Sequence, residues 1–104
     1  MATVRSLKIK TSTCRRLFKE LRSYEEEVQK EAAKAAVMRA RGADLHDLKQ
    51  QENVLAESRM MVPDCHKRLD AAQADLKATL VELLKIREAE SAIREEDSQN
   101  HCFV

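Results

Sequence analysis

Cysteine and histidine come first among residues able to do chemistry, because they stand in adjacent pairs, Cys65 with His66 and His101 with Cys102. A zinc site built on one helix takes ligands three or four residues apart, whereas neighbours diverge by about 100° around the axis. No metal is expected. Glu25, Glu26 and Glu27 are consecutive and fan around a helix in the same way, as a solvated face and not as an acid/base pair. One glycine in 104 residues excludes a glycine-rich phosphate loop. Catalysis has no seat in this chain, which reads as a binding protein and not an enzyme.

Two groups of residues fit binding. Residues 1 to 22 hold seven cations against the single anion Glu20, whereas residues 63 to 104 hold six cations and nine anions. The whole chain is balanced at +1, so the charge lies in its distribution, and Lys8, Lys10, Arg15, Arg16 and Lys19 are candidates to attract an acidic protein surface. The second group is Glu57, Arg59, Met60, Met61, Pro63 and Asp64, with Arg68 beyond and Tyr24 from the first half. If Leu55 and Val62 face a partner helix, Met60 and Met61 turn away from it. Flexible methionines adapt to varied apolar surfaces. A nucleic-acid partner is not expected, because Gly42 separates the basic segment from the leucine repeat that would follow it directly in a dimeric zipper.

The elements that must position these groups are long helices. Leu48, Leu55, Val62, Leu69, Leu76 and Leu83 repeat every seven residues, and Leu7, Cys14, Leu21, Val28 and Ala35 do the same, with Phe18 and Ala32 expected to fill intermediate core positions. Between the two series lies Arg41-Gly42-Ala43-Asp44, where Gly42 suits the left-handed conformation past a helix end and Asp44 suits a cap. This predicts an antiparallel pair, helix 1 over about 3–40 and helix 2 over about 45–86, kinked at Pro63 where a backbone hydrogen bond is lost. Residues 87–104 are a weakly specified tail, with Asn100 to Val104 expected to fray. With 3% aromatic and 36% charged residues, the expectation is one all-α rod. No apolar run is long enough for a membrane span and no signal-peptide pattern opens the chain, so a soluble intracellular protein is expected. The odd cysteines Cys14, Cys65 and Cys102 make a poor disulfide framework.

Four stretches carry a resemblance. LKIKTSTCRRLFKEL at Leu7–Leu21, SYEEEV at Ser23–Val28, LKQQENVLAESRMMVPDCHKRLDAA at Leu48–Ala72 and ADLKATL at Ala74–Leu80 closely resemble the tubulin-folding cofactor A (tubulin-specific chaperone A) family, over approximately the first 84 residues. The resemblance implies a three-helix bundle with a proline-kinked second helix. It also implies a cytoplasmic, cytoskeleton-associated monomer that holds a β-tubulin folding intermediate released by the chaperonin. That intermediate would pass to other tubulin-folding cofactors, which assemble the heterodimer, with no nucleotide or other cofactor bound here. After Leu84 the chain departs from the pattern, lacking the turn and the apolar stripe of a third helix. The third helix is therefore expected to be truncated or absent, leaving a less stable rod or one that self-associates to cover its open face. From a different class, the alternative is a structural coiled-coil adaptor that dimerises through its leucine stripe.

Overall fold

The computed structural model describes the backbone of residues 2–102 and the side chains of residues 2–96. Within these residues the chain forms two helices, α1 (Val4–Ala40) and α2 (Leu45–Cys102). They lie side by side in a rod of 91 × 20 × 15 Å. Thr3 starts α1 with a capping box: its hydroxyl accepts the Ser6 N–H at 3.0 Å, and the Ser6 hydroxyl accepts the Thr3 N–H at 2.9 Å. Two otherwise orphaned donors are thereby satisfied.

The reversal between the helices has a stated geometry. Gly42 sits at φ +68°, its N–H reaches the Arg39 carbonyl at 3.1 Å, and the Ala43 N–H reaches the Met38 carbonyl at 3.0 Å. This is the paired closure of a Schellman motif, and its left-handed residue explains a glycine at this position. The α2 helix then starts from the Asp44 carbonyl, which accepts the Leu48 N–H at 2.9 Å. It passes through Pro63 without interruption.

One seam joins the helices. Leu17, Leu21, Cys65 and Leu69 are buried at its centre, with Tyr24, Val62 and Ala72 packed against them. The leucine series of α2 lies along this seam, every member buried or half-buried, and so does the Leu7 to Ala35 series of α1. Both ends of the seam are polar. Towards the reversal, the buried Gln51 side chain donates to the carbonyl and the carboxylate of Glu31. Towards the start of α1, Lys10 donates to the buried Thr79 hydroxyl at 2.6 Å and to Asp75 at 3.1 Å. Among the described residues no buried side-chain nitrogen or oxygen lacks a partner, as a close-packed seam requires.

The expectation for Phe18 is corrected. Phe18 is 50% exposed, and Leu17 occupies the core at 7%. The intermediate position of a seam lies three residues after Cys14, and the fourth residue lies a further 100° round on the flank. Helix 2 also runs on past residue 86, as an unbroken helix to Cys102, although beyond Leu83 every described side chain is exposed. No described helix is long and apolar enough to cross a membrane.

The register of Leu17 and Phe18 is directly measurable. Leu17→Ala should lower the unfolding free energy by about 2–5 kcal/mol, the usual cost of a cavity in a core. Phe18→Ala should cost less than half as much. Equal losses in urea unfolding would return Phe18 to the core.

Candidate functional site

The seam sets the level of each candidate along the rod. The Cys65 thiol lies 3.7 Å from the Leu17 carbonyl, and Gln51 bonds Glu31. Lys19 is therefore level with about Pro63, and Arg22 with about Met60. The cationic candidates of α1 and the methionine group of α2 thus share the middle of the rod, but they do not form one patch. Lys19 and Met60 both point away from the seam, and in a pair of helices that places them on opposite faces.

The candidates differ in how free they are. Lys8, Arg15, Arg16 and Lys19 are exposed, with Arg16 4.0 Å from Glu20 one turn along. Lys10 is half-buried and already paired within the chain with Asp75 and Thr79, which sets it apart from the freely exposed cations. Met60 is 73% exposed and Met61 45%. Met61 shares a cleft with Tyr24, Glu27, Glu57 and Ser58 on one flank of the seam. Arg59 and Pro63 line a cleft with Glu25, Val28, Gln29 and Val62 on the other. Asp64 and Arg68 pair at 2.9 Å across one turn. Pro63 has no N–H, so the Arg59 carbonyl is left without its helical partner.

Two further features escaped sequence reasoning. Phe18 lies in a groove with Cys14, Arg15, Lys19, Leu69 and Gln73, an aromatic ring between cations on the flank of the seam. Leu69 and Cys14 belong to the heptad series, so only the three-versus-four ambiguity at residues 17 and 18 hid this groove. His66 lies 3.7 Å from Glu25 on α1, a contact between exposed side chains that is ionic only when the imidazole is protonated. Among the described residues no group of three or more His, Cys, Asp or Glu side chains is placed to hold a metal ion. The side chains of the His101–Cys102 pair lie outside the described residues, as do Phe103 and Val104 altogether, whereas the backbone of residues 100–102, expected to fray, is helical.

Cys65 is a packing group. Burial pushes its thiol above the usual value, and the nearby Glu20 carboxylate adds to the rise, so the uncharged form is retained. Cys14 on α1 is half-buried and also a free thiol.

A rod of two helices whose core is a single seam leaves its flanks and outer faces exposed, and among the described residues it is an all-helical protein with no cluster of metal-ligating side chains. Residues 2–100 match the family described as Tubulin binding cofactor A. The chain is 69% identical over 90 residues to tubulin-folding cofactor A of Arabidopsis thaliana, covering 86% of this chain and 80% of the relative. It is 45% identical over 87 residues to tubulin-specific chaperone A of Homo sapiens, covering 84% and 81%. The crystal structure of the Arabidopsis cofactor superposes with a TM-score of 0.79 at 70% identity, over 82% of this chain and 79% of that one. The chain belongs to the tubulin binding cofactor A family.

The burial of Cys65 predicts a pH dependence. A thiol whose folded pKa is raised contributes stability that is complete below the unfolded value of about 8.5, and that stability is lost as pH rises towards the folded value. The urea midpoint of the protein should fall as pH rises above about 8.5, and Cys65→Ala should flatten that fall. An unchanged slope in the variant would refute the assignment.

Proposed function

We propose that this chain is a tubulin-folding cofactor that captures β-tubulin folding intermediates and holds them for assembly of the tubulin heterodimer, together with other tubulin-folding cofactors in the cytoplasm. Its relatives at 69% and 45% identity are named as a tubulin-folding cofactor and a tubulin-specific chaperone. The observation within the chain that supports holding a client is the outward pair Met60 and Met61, left uncovered after folding beside the uninterrupted Pro63. Methionine side chains can mould to an incompletely folded apolar surface, and a partner could use the Arg59 carbonyl as a free acceptor. Lys8, Arg15, Arg16 and Lys19 supply positive charge that speeds encounter with an acidic surface. Tyr24, Glu57, Asp64 and Arg68 border the same length of the rod. Lys10 acts as a seam residue in this proposal.

The adaptor alternative needs the leucine stripe as its dimer surface. In this fold α1 occupies that stripe within the chain, so no observation favours that alternative.

Native-gel capture of β-tubulin discharged from chaperonin tests the proposal, with a non-tubulin client as control. Wild-type protein should shift β-tubulin and leave the control client unshifted. Arg15→Glu with Arg16→Glu should weaken capture about tenfold, with most of the loss suppressed at high salt. Met60→Ser with Met61→Ser should weaken it comparably, with little salt dependence. If both doubles stay helical and capture as wild type does, these residues are not the binding surface. Wild-type protein with no preference for tubulin would reject the function itself.

A further inference from the structure

Beyond Leu83, α2 runs for a further 19 residues to Cys102, a length of about 28 Å. No part of α1 lies beside it, because α1 begins at Val4, near the level of Thr79 and Leu83. Yet this extension keeps the seam register: Thr79, Ile86 and Ile93 follow at intervals of seven. Thr79 is buried where α1 covers it, while Ile86 and Ile93 are 44% and 59% exposed. One row of the seam therefore stays apolar past the point where its partner helix stops, while the leucine row continues as the acidic Glu90 and Asp97.

The charge of the extension points to what covers it. From Arg87 onward the chain has two cations and five anions, whereas its first 22 residues have seven cations and one anion. Two extensions packed on each other would bring like charge together. An extension packed on the start of α1 brings opposite charge together. The groove of Cys14, Arg15, Phe18, Lys19, Leu69 and Gln73 lies on that basic stretch and offers an aromatic surface between cations. The lengths agree too, since 84–102 and 4–22 are equal stretches of helix.

We propose that the chain forms a two-fold symmetric dimer in which the α2 extension of each copy lies along the Phe18 groove of the other. A two-fold axis perpendicular to the rods, near the level where α1 begins, puts both extensions on both grooves at once. Each extension then runs parallel to the α1 helix of the other copy and antiparallel to its α2 helix, making three helices side by side at each end of the pair. The interface is isologous and closes. Two contacts about 28 Å long and about 10 Å wide, counted on both faces, bury about 1,100 Å², above the roughly 1,000 Å² that a biological interface should clear and at the small end of the scale, where association is weak. This inference does not depend on the tubulin reading.

Sedimentation equilibrium on the full chain decides it. Wild-type protein should reach twice the 11.9 kDa mass of the chain at micromolar concentration. Ile86→Glu with Ile93→Glu should be monomeric under the same conditions, with helical content kept because both side chains project beyond the core. Glu88→Lys with Glu95→Lys should raise the dissociation constant about tenfold, and Arg15→Glu with Lys19→Glu should do the same. The four reversals together should recover most of the affinity. A wild-type monomer at every concentration up to about 0.5 mM, on the scale of weak complexes, overturns the proposal. So does a dimer insensitive to reversal at Arg15 and Lys19, which would mean that the extensions pair with each other.

Discussion

The structure depends on the register of one helical seam. Two helices alone can each bury one stripe, and here the apolar centre of that stripe, Leu17 and Leu21 against Cys65 and Leu69, is short. Leucine stripes by themselves tolerate sliding by a heptad, about 10 Å, because every seventh residue looks alike. Polar pairs at the two ends remove that freedom. Shifting α1 by one heptad would part Gln51 from Glu31 and Lys10 from Thr79 and Asp75, leaving partly buried polar groups without partners. A lost partner at such a site costs about 1–3 kcal/mol. Two such losses outweigh what a slid pair of leucine stripes could regain.

Once the seam is set, the outer surface follows by subtraction. Lys10 is drawn into the seam, while Arg15, Arg16 and Lys19 remain outside. Phe18 is turned onto the flank, where it gives the basic segment an apolar floor. Met60 faces away from α1, and Met61 lies at the edge of a cleft. If Arg15 and Lys19 receive both an acidic client and the extension of a second copy, as proposed, the two draw on the same cations. Binding to one would oppose binding to the other.

The heptad leucines and Gly42 were legible in the sequence because each has a local physical signature, a period in one case and a backbone conformation in the other. The choice between Leu17 and Phe18 was not, since residues three and four places along both fall near the seam and the partner helix decides between them. Lys10 looked like any other cation of the basic segment. Its partners Asp75 and Thr79 are 65 and 69 residues away, a separation that no local pattern encodes. The continuation of α2 past residue 86 was hidden for another reason. Its apolar stripe thins there, but Glu, Ala and Arg favour helix strongly on their own, so propensity carries the helix where packing has ceased.

Pro63 tests the same logic from the side of cost. An internal proline forfeits one helical hydrogen bond and crowds the preceding turn, at about 3 kcal/mol. The seam can bear this because Val62 and Cys65, on either side, keep their places in it. The penalty falls at the level of Met60 and Met61, where it strengthens no contact within the chain. A substitution by alanine would recover that energy without disturbing the buried stripe, yet the chain keeps the proline beside two outward methionines and a free Arg59 carbonyl. A cost borne in the helix and unmatched by packing within it is what a functional position leads one to expect, and it supports the proposal that this turn of α2 serves a partner.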